Sequence, residues 1–288
     1  MRAPIPDCEA RVPASLVEAL GILASEPGSW IPMAGGTDLM VLLQAGRLKG
    51  GRFLDLSRIE ELRGISEDGE GLRLGALTTF SELLECSAVR EHYPNLARSA
   101  RATGALAIQN RGTLGGNIAN ASPAADSSPS LLAYGAELEL VSTRGRRRVP
   151  YEAFHLGYKR MDLAPDELLA GIRVPRPAEA GFHFHRKVGT RRAQALSKLC
   201  LAAYARIQEG RVAEIRVGLG SVAPVPLRAR GAEAVILGSP VAALPAEAAL
   251  EALMADISPM DDIRSTAHYR RVVTGNVFRQ MLGELASV

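Results

Sequence analysis

Cysteine is scarce in this chain. Its 288 residues include three, Cys8, Cys86 and Cys200, and no two form a Cys-x-x-Cys pair. A metal or iron–sulfur site held by the chain's own cysteines is therefore not expected, and a sparse, odd count suits a reducing compartment. An excess of one charge is missing too. The formal net charge is +3, and arginine and lysine alternate with acids, which excludes the basic face of a nucleic-acid binder. The dense basic run at 144–148 falls where a hairpin turn belongs and reads as a solvated turn. No apolar run approaches a bilayer span. The stretch MRAPIPDCEARVP lacks the apolar core of a signal peptide. There is no fixed-period repeat and no low-complexity tract. A cytoplasmic protein of one large or two ordinary domains is expected, with 47% hydrophobic and 23% charged residues supplying a core.

The common phosphate signatures are also absent. No Gly-x-Gly-x-x-Gly is followed by an acidic residue, and no Gly-x-x-x-x-Gly-Lys-Ser/Thr loop occurs. The stretch RGTLGGNIANASPAADSSP nevertheless holds three glycines and two prolines, with one sizeable aliphatic residue, Ile118, after Gly116. Packing alone does not call for such a composition.

Local signals outline the elements. Residues 15–26 read as a helix capped by Ser15, with Glu18 three residues on. SWIPMAGG reads as a short strand ending in glycines. Residues 37–46 read as a helix capped by Thr37 or Asp38. RFLDLS is a strand. LRLGAL leads to a Thr79-x-x-Glu82 capping box, and NLARSARATG is a helix closed by Gly104. Ser128 before Pro129 reads as a cap and first-turn pair. AELELVSTRGRRRVP is a hairpin turning at Arg144 and Gly145. DELLAGIRVP is a strand before a proline-rich break at 176–180, the expected domain boundary. Beyond it GFHFHRKV, KLCLAAYARI and RVAEIRVGLGSV alternate as strands, with a tight turn at Glu209 and Gly210. Two or three helices finish the chain, including about 245–255 and 265–286. Antiparallel strands covered by helices form an α+β layer arrangement.

Two glycine loops stand out. The first is Met33, Ala34, Gly35, Gly36, Thr37, Asp38 and Leu39. The second opens with Thr113, Leu114, Gly115, Gly116 and Asn117 and runs to Asp126. Glycine lets a ligand touch the backbone. Successive N–H groups around such a turn, or at a helix N-terminus, make a concave anion site. One such loop alone is best read as a turn with a helix cap. Two, each flanked by Thr, Asn or Asp, can grip a diphosphate from both sides and point to a dinucleotide cofactor.

The blocks AGGTDL, TLGGNIANASPAADSSP, ELLAGIRVP, RKVGTRRAQALSK and DIRSTAHYRR occur in this order and span essentially the whole chain. Together they resemble the FAD-binding medium subunits of the molybdenum hydroxylases, the group of bacterial xanthine, nicotinate and carbon monoxide dehydrogenases. The resemblance implies an α+β fold. A two-subdomain FAD-binding domain of the vanillyl-alcohol-oxidase (PCMH) type would cover 1–176, with subdomains of about 1–56 and 57–176. A smaller α+β domain like that of the CO dehydrogenase flavoproteins, an antiparallel sheet with helices, would cover 177–288. It implies that both loops hold the FAD pyrophosphate, that Asp126 contacts the sugar or adenine side, and that Gly104 lets the cofactor lie close. Lys187 would sit beside the isoalloxazine and stabilise charge on the reduced ring; the plain alternative is a strand lysine with its head in water. Leu169 would pack on the flavin, and Arg160 is assigned to the same site. Relatives with Ala-Gly-Gly-His-Ser differ from Thr37 and Asp38 here, so Asp38 is expected to turn away from the phosphates and cap the helix. The cysteine-rich insertion of the hydroxybenzoyl-CoA reductases is absent. No residue is assigned a catalytic or metal-binding role; His183 and His185 share a strand face without an evident third ligand.

The implied function is electron transfer. A large subunit with the molybdenum cofactor would oxidise the substrate, a small subunit would carry [2Fe–2S] clusters, and this flavoprotein would pass electrons to NAD+ or another acceptor. Two other readings compete. In an FAD-free assembly subunit the glycines would be free to drift, and they are intact. A stand-alone flavin oxidase would need a substrate domain, and the C-terminal part is short and carries no acid–base cluster. Xanthine or a related N-heterocycle is the favoured substrate of the complex; CO and aldehydes stay open.

Overall fold

The computed structural model describes residues 7–48, 50–178, 180–191 and 194–288. The first lobe holds β1 (Cys8–Arg11), β2 (Ile31–Met33) and β3 (Gly51–Asp55), parallel in the order β1-β3-β2. Helix Leu16–Ser25 starts as the sequence indicates: Ser15 Oγ accepts from the Glu18 amide at 3.2 Å, and the Glu18 carboxylate reaches back to the Ala14 amide at 2.8 Å. Its apolar stripe buries Leu16, Ala19, Leu20 and Leu23 beside Trp30 and Leu54. The next helix, Leu39–Gln44, is not capped by Asp38 as expected. Asp38 is already in the right-handed helical region, at φ −94° and ψ −47°, and its side chain makes no cap bond. The turn is closed by main chain instead, with the Met40 amide donating to Gly36 O at 2.9 Å.

The middle lobe holds β4 (Ile65–Asp68), β5 (Gly71–Gly75), β6 (Glu137–Ser142), β7 (Gly145–Pro150), a small hairpin of β8 (His155–Gly157) and β9 (Arg160–Met161), and β10 (Leu168–Pro175). Five of these form an antiparallel sheet in the order β4-β5-β10-β6-β7. The last strand in sequence thus takes the centre and locks the lobe. Alternation in β6 sends Val141 to the core shared with the first lobe and Leu138 and Leu140 to a second core under the helices. In β10 a register shift between Leu169 and Gly171 resets the alternation, so Leu168 and Ala170 join the first core and Ile172 the second. The β6–β7 turn comprises Thr143 and Arg144, since Ser142 pairs with Gly145, one residue earlier than the sequence reading. The basic run there is not merely solvated. Arg147 donates to Asp162 at 2.8 Å and to Glu167 at 2.7 Å, and Arg144 pairs with Asp166.

Short helices between β5 and β6 carry the second glycine loop. The Thr79–Glu82 capping box forms as read. Ser128 does not cap its helix. It is the first residue of Ser128–Ala133, with Pro129 in the first turn, and its hydroxyl lies 2.6 Å from that of Tyr151 in a buried pair.

The third lobe is an antiparallel sheet of β11 (Phe182–Val188), β12 (Leu199–Gln208), β13 (Arg211–Gly220) and β14 (Leu227–Arg228), in that order. Glu209 and Gly210, at φ +51° and +69°, make the two-residue hairpin turn whose twist suits the flanking strands. Helices Arg230–Ile236, Ala246–Asp256 and Ala267–Leu285 cover one face. The first of these has no local start signal, because the amides of Gly231 and Ala232 bond the carboxylate of Asp256 at 3.2 and 3.1 Å, a cap from another helix. The other face of the sheet takes helix Ser128–Ala133. At Gly218 the approach is so close that an added Cβ would lie 2.2 Å from Pro129 O.

Candidate functional site

The two glycine loops, far apart in sequence, are pressed together. A Cβ built on Gly35 would lie 1.7 Å from the carbonyl oxygen of Arg111, at the entry of the second loop. Beyond this contact Ala34 faces Gly116, whose added Cβ would sit 3.8 Å from Ala34 Cβ. The first loop follows directly from β2, whose last residue, Met33, accepts from the Leu56 amide at 2.9 Å. Among the described residues the amides of Gly35, Gly36, Thr37 and Asp38 find no hydrogen-bond partner. They are half-buried or exposed and available to a ligand.

The second loop has used its amides. Leu114 donates to Thr78 O at 2.8 Å, Gly115 to Ala76 O at 2.9 Å and Asn117 to Thr113 O at 2.9 Å. The Gly116 amide bonds Thr113 Oγ1 at 3.1 Å, so Thr113 caps helix Leu114–Ala119. What remains are side-chain donors. The Thr113 hydroxyl keeps its hydrogen. Asn117 accepts at Oδ1 from Ser127 Oγ at 2.6 Å, which leaves its NH2 group free to donate.

Asp126 and Lys187, 61 residues apart, meet beside these loops. Lys187 Nζ lies 2.7 Å from Asp126 Oδ2 and 2.9 Å from Ala102 O, and the two side chains are 11% and 12% exposed. Ser197 Oγ donates to the other oxygen, Asp126 Oδ1, at 2.6 Å. Burial pushes the Asp126 carboxyl above its ordinary range, while Lys187 and Ser197 pull it back. The Lys187 head is therefore tied into the protein wall. That wall borders a cleft of about 570 Å³ lined by Ala102, Lys187, Val188, Gly189, Thr190 and Arg191. Sequence reasoning named Asp126 and Lys187 but missed Ser197 and Ala102. Ser197 lies in the block RKVGTRRAQALSK, which offered a signal; Ala102 contributes a carbonyl, which no residue type reveals. Arg192 and Ala193 of that block lie outside the described residues.

The other sequence-named residues are dispersed. Gly104 follows helix Pro94–Ala102 at φ +57°, and its carbonyl accepts from the Gln194 amide at 3.1 Å. Leu169 is 7% exposed inside the middle-lobe core, the default place of a strand leucine. Arg160 is exposed on β9. Its neighbour Lys159 reaches Asn120 Oδ1 at 2.7 Å, which puts this hairpin at the far end of the helix that begins in the second loop. His183 and His185 enter the seam between the middle and third lobes. His183 Nδ1 lies 3.1 Å from the Tyr134 hydroxyl, and His185 Nε2 lies 3.6 Å from Cys200 Sγ. Burial pushes both imidazoles down to about 4. Among the described residues no three His, Cys, Asp or Glu side chains are grouped to hold a metal. No helix among them is long and apolar enough to cross a membrane.

Residues 7–177 match the family described as the FAD binding domain in molybdopterin dehydrogenase, and residues 184–285 match the CO dehydrogenase flavoprotein C-terminal domain. The chain is 34% identical to a xanthine dehydrogenase FAD-binding subunit of Escherichia coli O157:H7, over 94% of this chain and 93% of that one. It is 31% identical to the carbon monoxide dehydrogenase medium chain of Hydrogenophaga pseudoflava, over 96% of each. The fold superposes on a carbon monoxide dehydrogenase structure from the same organism with a TM-score of 0.93 at 31% identity, covering 98% of both chains. On quinoline 2-oxidoreductase of Pseudomonas putida 86 the TM-score is 0.89 at 27% identity, covering 99% of both.

Proposed function

The chain belongs to the FAD-binding medium subunits of the molybdenum hydroxylase family, and from that premise we propose that it is the electron-transfer flavoprotein of a multi-subunit oxidoreductase. It would stand between a small [2Fe–2S] subunit and NAD+ or another acceptor, beside a large molybdenum-cofactor subunit that oxidises the substrate. A cytoplasmic location goes with this reading. The observation that carries it is the contact of Gly35 with Arg111, which joins one loop of unclaimed amides to a second loop of side-chain donors.

These residues fit the cofactor. FAD supplies the redox chemistry when bound; the protein binds and orients it. The amides of Gly35, Gly36, Thr37 and Asp38 would hold one side of the diphosphate, and Thr113 and Asn117 would donate from the other. Asp38 is exposed and its side chain makes no cap bond, so its carboxylate is free to turn to solvent, away from that grip. An ammonium has three donors. Asp126 and Ala102 take two from Lys187, so one N–H remains for the cleft. The paired Asp126 offsets the lysine's charge, so Lys187 acts there as a fixed donor more than as a free cation.

The test is direct. Purified chain titrated with FAD should quench flavin fluorescence saturably at one FAD per chain. With its partner subunits and substrate it should then support reduction of NAD+ or of an artificial acceptor. A chain that stays colourless in excess FAD would favour the assembly-subunit reading.

A further inference from the structure

We propose that Arg270 and Ser221 form a latch that positions the Asp126–Lys187 pair at the wall of the cofactor cleft. Arg270 is then a positioning residue for a group it never touches. The consequence for FAD rests on the flavoprotein reading; the latch itself does not.

The block DIRSTAHYRR, left without a role so far, builds the anchor. Asp262 Oδ1 accepts the amides of Arg264 at 2.8 Å and Ser265 at 3.0 Å. Thr266 Oγ1 then caps helix Ala267–Leu285 through the Tyr269 amide at 3.1 Å. Arg270 follows in the opening of that helix and is 4% exposed. Nothing local favours a cation there. The helix N-terminus carries a partial positive charge, and a buried guanidinium is costly to desolvate. Its Nε is buried without a partner among the described residues.

Distant contacts explain the placement. Arg270 Nη2 donates to Asp262 Oδ1 at 2.9 Å, while Nη1 donates to Lys198 O at 3.0 Å and Ser221 O at 2.7 Å. One nitrogen thus ties the segment entering β12 to the residue leaving β13.

Ser221 is the hub. Its φ of +69° is a left-handed conformation that is strained for a non-glycine residue and persists only when the surroundings over-determine it. They do. Its amide donates to Pro123 O in the second glycine loop at 2.7 Å. Its hydroxyl donates to Ser197 O at 3.0 Å, and its carbonyl is held by Arg270. Ser197 in turn donates to Asp126 at 2.6 Å, and Asp126 holds Lys187 at 2.7 Å. The chain of contacts therefore runs from the C-terminal helix to the cleft without a gap.

The experiment uses the full chain in four variants: R270Q, R270K, S197A and R228Q. Arg228 is the stability control, since it forms a buried ion pair with Glu233 at 2.5 Å in the same lobe and takes no part in the latch. Lys187 is acetylated in the cofactor-free chain, well below each variant's melting temperature, and read by mass spectrometry with exposed Lys159 as internal standard. R270Q should raise Lys187 labelling relative to Lys159, and should raise the FAD dissociation constant about tenfold, as outer-shell partners do at metal sites. R270K should restore part of both. S197A, which removes the last link with little packing loss, should raise the labelling even if R270Q fails to fold. R228Q should lower the melting temperature and leave the labelling unchanged. Wild-type labelling in R270Q or S197A, or an equal rise in R228Q, would overturn the latch. A wild-type chain that binds no FAD would instead sink the flavoprotein reading and leave the labelling result standing.

Discussion

The two glycine loops look alike in sequence and do different work. Each is Gly-Gly flanked by Thr with Asp or Asn. In the first, the amides from Gly35 to Asp38 are unclaimed among the described residues, so the loop offers its backbone. In the second, every amide from Leu114 to Asn117 is bonded inside the protein, so the loop offers side chains on a rigid frame. A glycine pair therefore does not by itself say which atoms meet a ligand. That is decided by what the neighbouring strand has already taken, and here the β5 end, through Ala76 and Thr78, takes the second loop's donors.

The strongest break of this comparison is at Gly35. A methyl group there would meet the Arg111 carbonyl at 1.7 Å, backbone against backbone, with no flexible side chain to yield. Gly35→Ala should cost about 3 kcal/mol of stability through overpacking and lower FAD affinity at least a hundredfold by parting the loops. Gly116→Ala meets only Thr113 Oγ1 at 2.9 Å and Ala34 at 3.8 Å. Crowding the Thr113 cap, it should cost about 1 kcal/mol of stability and weaken FAD about tenfold, both less than at Gly35. Thermal unfolding and FAD titration of both variants check this. Equal losses would mean that the loops are not joined at Gly35.

The threonines separate backbone from side-chain recognition. Thr113→Val removes both the helix cap and a donor. It should cost about 1 kcal/mol of stability and roughly tenfold in FAD affinity, a hydrogen bond to a charged group contributing about 1.5–3 kcal/mol. Thr37→Val leaves the first loop's amides in place and should stay within about 0.5 kcal/mol in both measurements. A larger loss of affinity at Thr37 than at Thr113 would reverse the assignment of roles.

Which features the sequence disclosed follows the same division between local and distant causes. Ser15, the Thr79–Glu82 box and the Glu209–Gly210 turn act within four residues, so their patterns sufficed. Asp38 and Ser128 have the right residue type for a cap, but a main-chain turn closes one helix start and Tyr151 claims the other hydroxyl. Helix Arg230–Ile236 is capped by Asp256, about 25 residues later. The Asp126–Lys187 pair is the sharpest case. Each residue was singled out separately, and only the docking of β11 against the second loop's tail shows that they neutralise one another.

The smallest expected effect concerns that docking of β11 beside the second loop. His183 and His185 lie in the seam, and burial lowers both from 6.5 to about 4. Between those values the unfolded chain binds protons that the folded chain refuses. Stability is therefore full above about pH 6.5 and falls as the pH drops towards 4, with an upper bound on the slope of about 1.4 kcal/mol per pH unit for each ring. Both rings are half-buried, and solvent screening trims the effect further. Asp126 works with the opposite sign, because its raised carboxyl lets the folded chain take up a proton first. The difference between variants isolates the histidines where the total slope does not. The double variant His183→Gln, His185→Gln should melt at nearly the same temperature as wild type at pH 7 apart from a constant packing loss. That gap should narrow by pH 5 as the wild-type seam weakens. A gap that stays constant with pH would place the acid sensitivity outside the seam and leave the second loop no more tied to the third lobe's titration than the first.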